Sequence, residues 1–345
     1  MKLFSIKEKI LKSLNNMDFD EEIFLDVFKF QYDNNEVYRK FCNRFNKEKS
    51  KVKNFEDIPL MPVRFFKKYE VRSIKEKPKV IFLSSGTSEF LRSKSFYVDT
   101  EFINRSILIS FKHFVLPDDL KTNFYIFFEP FEKRNNSSLS YMLSLVAKNF
   151  SKNFYFVFDR KDYKDALKKM KREKKKIVLL GTTLSLYAFA IFLKENNEKI
   201  FLKEGSRIMD TGGWKTKRIL LKGKDLIKIY KEFFNIDENY VINEYGMCEI
   251  ASQFYDITLR KFIFENKKVR FKSSLPFLRF RILNEEGKFS NKGLIAIYDL
   301  FNLETCSFLL TPDMGKIKGK GFEIIERVDE ELRGCALISE SILFN

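Results

Sequence analysis

The stretch VIFLSSGTSEFLRS, residues 80–93, joins an apolar run to a loop of small hydroxyl-bearing residues. The run Val80–Leu83 predicts a buried strand. The loop that follows begins with Ser84, Ser85, Gly86 and Thr87. A glycine lets backbone amides approach an anion closely, and neighbouring hydroxyls can donate to phosphate oxygens. The spacing of a Walker phosphate loop is missing, so this stretch predicts either a plain turn or a phosphate loop of another kind.

The overall composition is that of a folded protein. The 345 residues are 44% hydrophobic and 16% aromatic, which excludes a disordered chain. No run approaches the roughly 20 apolar residues of a membrane span. The amino-terminal residues MKLFSIKEKILKSL lack the apolar segment of a signal peptide. We therefore expect a cytoplasmic protein without stable membrane insertion.

The net charge of +17 raises the question of nucleic-acid binding. Lysine, isoleucine, asparagine and the 40 phenylalanines are abundant along the whole chain, so the charge fits a general compositional bias. Basic residues do cluster in KDYKDALKKMKREKKK, residues 161–176, where helical spacing predicts a solvated helix surface or a surface that docks an acidic partner. We expect no nucleic-acid binding.

The order of the predicted elements indicates an α/β fold. Residues 1–56 have helical spacing, and residues 57–256 alternate helical patterns with short apolar runs at 123–130, 153–159 and 176–181. Residues 257–345 change to short predicted strands and turns, beginning with LRKFIFEN at 259–266. We expect one domain over residues 1–345, with amino-terminal helices, a core of βαβ units and a smaller β-rich subdomain.

Three motifs follow the opening stretch in chain order. In DTGG, residues 210–213, paired glycines follow a strand and leave room for a flat base. In EYGMCE, residues 244–249, a tyrosine ring could stack on that base and the last carboxylate could hold magnesium. In LLTPDMG, residues 309–315, Asp313 follows an apolar strand, where it could accept both hydroxyls of a ribose. Together these motifs predict a nucleotide site.

This ordered set resembles the adenylate-forming superfamily and, within it, the acyl-protein synthetases of the LuxE type. The resemblance covers roughly residues 57–337, and the segments on which it depends are DIPLMPVRFFKKYEV, SSGTSEFLRSK, SSLSYM, GTTLSLYAFA, DTGGWKTKR, EYGMCEIASQFYD and TPDMGKIKGKGFEIIERVDEELRGCAL. It implies the amino-terminal-domain fold of adenylate-forming enzymes, with βαβ sheets, flanking helices and no mobile carboxyl-terminal domain.

The resemblance also implies an activity. With ATP and Mg²⁺ as cofactors, a fatty or other carboxylic acid would become an acyl-adenylate and then a thioester on an enzyme cysteine. The acyl group would pass to a partner, such as an acyl reductase or another acyl-accepting protein. The alternatives are an acyl-CoA ligase of the phenylacetate-CoA ligase type and a nucleotide- or acyl-binding homologue without catalysis.

Matching residues take their implied roles from the same family. The phosphate loop would consist of Ser84, Ser85, Gly86 and Thr87. The base would be bound by Gly212 and Gly213 with Tyr245 stacked on it, the magnesium by Glu249, and the ribose and nucleotide by Asp313 and Arg327. The acyl group would be accepted by Cys335.

Some positions depart from the family pattern. Ser88 and Glu89 replace the usual Thr-Gly at the end of the phosphate loop, and the glutamate could repel a triphosphate or turn outward. Lys215 and Lys217 are hypothetical replacements for the lysine that the missing domain supplies in larger enzymes. Cys335 follows Arg333, which could lower its thiol pKa, but it also precedes an apolar run typical of a buried cysteine.

Overall fold

A computed structural model describes residues 2–85, 92–212 and 223–328 of the chain. The candidate residues Gly86, Thr87, Gly213 and Cys335 lie outside the described residues. The same is true of Ser88, Glu89, Lys215 and Lys217. Among the residues that the structure describes, no helix combines the length and the apolar character needed to cross a membrane.

The described part of the chain alternates helices and strands. The helices are α1 (Leu3–Asn16), α2 (Glu21–Asn34), α3 (Glu36–Arg44), α4 (Phe65–Lys68), α5 (Thr100–Val115), α6 (Ser138–Phe150), α7 (Tyr163–Arg172), α8 (Thr183–Glu195), α9 (Gly223–Phe234) and α10 (Thr258–Glu265). The strands are β1 (Met61–Pro62), β2 (Val80–Leu83), β3 (Lys94–Tyr97), β4 (Asn123–Phe127), β5 (Phe154–Phe156), β6 (Ile177–Thr182), β7 (Arg207–Thr211), β8 (Val241–Tyr245), β9 (Phe254–Asp256), β10 (Lys272–Ser273), β11 (Leu278–Leu283), β12 (Lys292–Asp299), β13 (Phe308–Lys318) and β14 (Gly321–Arg327).

These elements form two compact units. The first comprises the described residues within Met1–Ser106, Met247–Gln253 and Ser273–Asn345, and the second comprises those within Ile107–Gly246 and Phe254–Lys272. The predicted subregions 1–56, 57–256 and 257–345 stay a prediction.

The second unit is built on a mostly parallel sheet. Its strands lie in the order β9-β8-β7-β6-β4-β5, and every neighbouring pair is parallel except β8 with β9. Helices connect successive parallel strands, which confirms the predicted βαβ units at residues 123–130, 153–159 and 176–181. Helix α7 shows why: Tyr163, Ala166, Leu167 and Met170 share its buried face, while its lysines face solvent.

The first unit is built on an antiparallel sheet of strands β11-β12-β13-β14, with β1 parallel to β13. Helix α2 packs beside it, and its buried Gln31 side chain reaches the segment before β13. There the Gln31 amide nitrogen donates to the Leu303 carbonyl at 3.0 Å, and its amide oxygen accepts from the Ser307 N–H at 2.9 Å. These bonds join residues more than 270 positions apart in the sequence.

Two sequence expectations about strands need correction. The stretch LRKFIFEN was predicted as a strand, but Thr258–Glu265 is helix α10. The prediction was wrong because Leu259, Phe262 and Ile263 are spaced three and four residues apart, which is the helical period. In a run this short, the apolar pattern is compatible with either a strand or a helix. Strand β2 exists as predicted but is not fully buried: among the described strands it pairs with β3 alone, and Ile81 is exposed.

A fully buried asparagine holds several segments of the first unit together. The Asn302 side-chain nitrogen donates to the carbonyls of Glu249 at 2.7 Å and Cys306 at 2.6 Å. Its side-chain oxygen accepts from the hydroxyls of Tyr97 and Thr305, both at 2.7 Å. All four hydrogen-bonding positions of the amide are therefore used.

The variant Asn302→Ala is expected to lower the free energy of unfolding by about 3 kcal/mol, because it leaves several buried polar groups without a partner. Urea denaturation measures this directly. The exposed Asn291→Ala variant serves as the matched control. If the two variants had equal denaturation midpoints, the assigned network would be wrong.

Candidate functional site

Two of the predicted base-binding residues lie at the same edge of the parallel sheet in the second unit. Strands β7 and β8 are parallel neighbours, with Thr211 opposite Glu244. The residues that follow this pair are Gly212, directly after β7, and Tyr245, the last residue of β8. The structure therefore brings together two residues that are 33 positions apart, at the carboxyl edge where ligands of open α/β sheets bind.

Gly212 leaves open space beside the backbone at this edge. Its φ is +94°, a conformation that favours glycine, and a Cβ placed on it would meet no atom of the described residues within 4 Å. The Thr183 hydroxyl, at the start of α8, lies 3.4 Å from the Gly212 carbonyl. A flat ring can approach such a backbone closely, so this turn fits the predicted role in binding a base.

Tyr245 is half-buried and is supported from the neighbouring strand. Its ring centroid lies 6.1 Å from that of Phe254, its cross-strand partner on β9, at an interplanar angle of 37°. An aromatic ring fixed in this way is suited to stacking on a base because little side-chain freedom is left to lose.

Behind this edge lies a network of buried polar side chains, which we call the strand-end network. The Thr211 hydroxyl donates to the Glu244 carboxylate. The Asp210 carboxylate accepts from the Tyr230 hydroxyl at 3.0 Å and from the Asn243 amide at 2.7 Å. The Lys272 ammonium donates to the Asn243 side-chain oxygen at 2.6 Å and pairs with Asp256 at 3.0 Å. This network ties together the ends of β7 and β8.

Burial controls the charge of the strand-end network. It raises the pKa of Glu244 from its ordinary value of 4.5 to about 7, against the opposing effects of Thr211 and Lys272. Burial also raises the pKa of Asp210. Asp210 and Glu244 belong to the DTGG and EYGMCE motifs, but the sequence predicted no role for either residue. The available signal was an acidic residue at the penultimate position of each apolar strand.

In the first unit, the predicted ribose and nucleotide residues are cross-strand partners. Asp313 on β13 lies opposite Arg327 on β14, and the Asp313 Oδ1 is 3.7 Å from the Arg327 Nε. The Asp313 side chain is mostly buried, whereas that of Arg327 is exposed. The fixed Asp313 carboxylate can accept from hydroxyls, and the solvent-facing Arg327 guanidinium can donate to an anion.

The predicted magnesium ligand Glu249 also lies in the first unit and is 7% exposed. The Asn302 side chain donates to the backbone carbonyl of Glu249. The buried Asp299 carboxylate accepts from the backbone N–H groups of Ala251 at 2.9 Å and Ser252 at 2.8 Å. Burial raises the pKa of Asp299 to about 6. Sequence reasoning missed Asp299 and Asn302, because residues about 50 positions away give no local signal.

Glu249 is suited to a magnesium ion that is bound together with a nucleotide. Within residues 2–85, 92–212 and 223–328, no three His, Cys, Asp or Glu side chains are grouped as an all-protein metal site would require. Magnesium that arrives with a nucleotide needs only one or two carboxylates, since phosphate oxygens and waters complete its shell. A single positioned carboxylate is therefore compatible with a magnesium–nucleotide complex.

At the start of the opening loop, Ser84 makes structural bonds. Its N–H donates to the Ser93 carbonyl at 3.0 Å, and its hydroxyl oxygen accepts from the Ser93 N–H at 2.9 Å. Ser84 therefore closes the base of the loop, while Ser85 is exposed beyond it. The placement of Ser85 is compatible with the predicted phosphate role, which stays a prediction for both serines.

The strand-end network predicts a dependence of stability on pH. Between pH 4.5 and 7, folded Glu244 binds more protons than the unfolded residue, so its contribution to stability falls as pH rises. Glu244→Gln removes a slope of up to about 1.4 kcal/mol per pH unit. Urea denaturation of both proteins across this range measures the difference. The control Glu326→Gln, at an exposed position, is expected to keep the wild-type slope; parallel curves for wild type and Glu244→Gln would refute the assignment.

Comparison with known proteins identifies similar chains. The chain is 26% identical to the long-chain-fatty-acid–luciferin-component ligase of Aliivibrio fischeri, over 94% of this chain and 88% of that protein. It is 24% identical to the protein of the same name from Vibrio harveyi, over 90% and 84% of the two chains. Among solved structures, a 2-hydroxyisobutyryl-CoA ligase matches with a TM-score of 0.63 and 10% identity, over 86% of this chain and 69% of that one.

The structural match confirms the predicted fold, that of adenylate-forming enzymes. The family description "Acyl-protein synthetase, LuxE" matches residues 11–343, nearly the whole chain. The chain therefore belongs to the LuxE family of acyl-protein synthetases, which are ligases.

Proposed function

We propose that this chain activates a long-chain fatty acid as its acyl-adenylate and then holds the acyl group as a thioester. The observation on which the proposal chiefly depends is the meeting of Gly212 and Tyr245 at one sheet edge, in a chain of the acyl-protein synthetase family. The names of the two luciferin-component ligases supply the substrate class.

In the first step a carboxylate oxygen of the acid attacks the α-phosphorus of ATP. The bond between the α-phosphorus and the bridging oxygen breaks, and pyrophosphate leaves. Magnesium, bound with the nucleotide, neutralises phosphate charge in this chemistry. Glu249 would hold that ion, and its fixed backbone would keep the carboxylate in place without reorganisation during the reaction.

The nucleotide-binding roles that the family resemblance implies fall on the following residues of each unit. In the second unit, Tyr245 would stack on the adenine, and Gly212, with Gly213 after it in the sequence, would bind the base. In the first unit, Asp313 would accept the ribose hydroxyls and Arg327 would donate to the nucleotide. The loop residues Ser84, Ser85, Gly86 and Thr87 would donate to the phosphates.

In the second step a cysteine thiolate attacks the acyl carbon, the carbonyl carbon–oxygen bond to AMP breaks, and AMP leaves. We assign this thiolate to Cys335. The cysteines in the described residues are unsuited, because Cys42, Cys248 and Cys306 are buried. Burial raises the pKa of all three thiols, that of Cys306 to about 12. The acyl group then passes to an accepting protein such as an acyl reductase.

Carboxylate-dependent exchange between ATP and pyrophosphate tests the first step. Wild type is expected to catalyse exchange with long-chain fatty acids, and Glu249→Gln is expected to reduce the rate by about 100-fold, because the metal charge is no longer held at the phosphates. The exposed Glu326→Gln variant serves as the control and should match wild type. Absence of exchange with every acid would favour the binding protein without catalysis.

Intact-protein mass measurement tests the second step. After incubation with ATP and a fatty acid, wild type should gain one acyl group that hydroxylamine removes, and Cys335→Ser should gain none while retaining exchange. Cys42→Ala is the matched control, and its acylation should be unchanged. Formation of acyl-CoA by Cys335→Ser at the wild-type rate would instead identify an acyl-CoA ligase.

A further inference from the structure

A cluster of lysines lies at the amino-terminal edge of the parallel sheet in the second unit. Strands β5, β4, β6 and β7 are parallel neighbours in that order, so the residues before each of them lie along one edge. These residues include the exposed lysines Lys121, Lys152, Lys174, Lys175, Lys176 and Lys203. We call this set, together with Phe201, the amino-edge surface.

Hydrogen bonds between the loops fix the amino-edge surface. The Lys152 N–H donates to the Thr122 carbonyl at 2.8 Å, and the Thr122 hydroxyl donates to the Lys176 carbonyl. The Ser206 hydroxyl oxygen accepts from the Ile177 N–H at 3.0 Å. The lysines before β4, β5, β6 and β7 are therefore held side by side.

The six lysines of this surface outnumber the neighbouring acids that have no ion pair with another residue. None of its six lysines forms an ion pair within the described part of the chain. Three nearby acids are already engaged: Glu198 pairs with Lys171, Asp118 with Arg207, and Glu173 accepts from Asn123 and Tyr125. Other exposed acids along this edge are Glu204, beside Lys203, and Asp237 and Glu238, which precede β8; the Asp237 carboxylate accepts from Asn239.

A phenylalanine protrudes from the same edge. Phe201, in the loop between α8 and β7, is 79% exposed, more than any other large hydrophobic side chain in the described residues. Lys199 and Lys203 flank it in the sequence. An exposed aromatic ring on a lysine-rich edge has the chemistry that docks on an anionic bilayer, where the ring enters the acyl boundary and the ammonium groups bind lipid phosphates.

We propose that the amino-edge surface docks this protein on anionic lipid bilayers. The strands are five to six residues long in β7 and β6, so the surface lies about 17 Å from the carboxyl edge that holds Gly212 and Tyr245. Docking therefore leaves that edge accessible to a nucleotide. Its purpose rests on the proposed function: a long-chain fatty acid partitions into bilayers, so a docked enzyme meets its substrate where it is concentrated.

Of the anionic partners that lysines can bind, the protruding ring favours a bilayer over a nucleic acid or an acidic protein. A folded acidic protein would need a matching pocket for Phe201, and RNA would need its bases unstacked to meet the ring. A bilayer accepts an isolated apolar side chain without either requirement.

Sedimentation with vesicles tests the proposal. Wild type is expected to sediment with vesicles of mixed phosphatidylcholine and phosphatidylglycerol, to remain in solution with phosphatidylcholine alone, and to be released by high salt. The triple variant Lys152→Glu, Lys174→Glu, Lys175→Glu should weaken partitioning by at least about 100-fold, since each lysine contributes about five-fold. Phe201→Ser should weaken it several-fold further.

Two controls make the test specific. The triple variant Lys53→Glu, Lys292→Glu, Lys320→Glu changes the net charge equally at exposed positions of the first unit, and Phe289→Ser removes another exposed ring. Both should retain binding. Loss of binding in the control triple would attribute it to net charge alone and overturn the proposal, as would failure of wild type to sediment. Strong binding of polyuridylate RNA through the same lysines, without vesicle binding, would assign the surface to nucleic acid instead.

The exchange assay, run without vesicles on a water-soluble short-chain acid, separates this proposal from the proposed function. All of these variants should exchange as wild type does, which also shows that they are folded. Vesicle binding without any exchange would contradict the proposed function only, and exchange without vesicle binding would contradict the docking proposal only.

Discussion

The parallel pairing of β7 with β8, with Thr211 opposite Glu244, is the constraint on which the candidate base site depends. Because both strands run the same way, their last residues meet at one edge, where Gly212 follows β7 beside Tyr245, the last residue of β8. The strand-end network fixes that edge with buried polar groups instead of apolar packing. Each of its hydrogen bonds must then be satisfied, which makes the geometry of the edge specific as well as stable.

In the first unit, buried polar side chains likewise fix the backbone around Glu249. Asp299 and Asn302, both fully buried, bind the backbone around Glu249, so the candidate magnesium ligand is held through its main chain. The antiparallel register of β13 and β14 similarly places Asp313 beside Arg327. In each unit, the residues assigned to nucleotide chemistry are supported by neighbours that have no such role. Supporting residues of this kind determine how accurately a site is organised before substrate binds.

The sequence was sufficient for the fold class and for residues that belong to contiguous motifs. The apolar runs that became β4, β5 and β6 and the glycine after β7 were identified from local pattern alone. Features that arise from pairing of distant segments could not be predicted from local patterns. The bond from Thr211 to Glu244, the Asn302 network and the convergence of lysines before four strands depend on strand order, which local spacing does not encode. Helix α10 was mispredicted for a different reason, because its short apolar run is compatible with both the strand period and the helix period.

The proposed activity depends on attack of a carboxylate oxygen on the α-phosphorus of ATP. The most direct test is to supply a fatty acid labelled with heavy oxygen in its carboxyl group, together with ATP, and to weigh the nucleotide product by mass spectrometry. Formation of an acyl-adenylate followed by attack of a thiolate on the acyl carbon leaves one labelled oxygen on AMP. Labelled AMP and unlabelled pyrophosphate are the expected products. Unlabelled AMP, or ADP with labelled inorganic phosphate, would contradict the proposed activity.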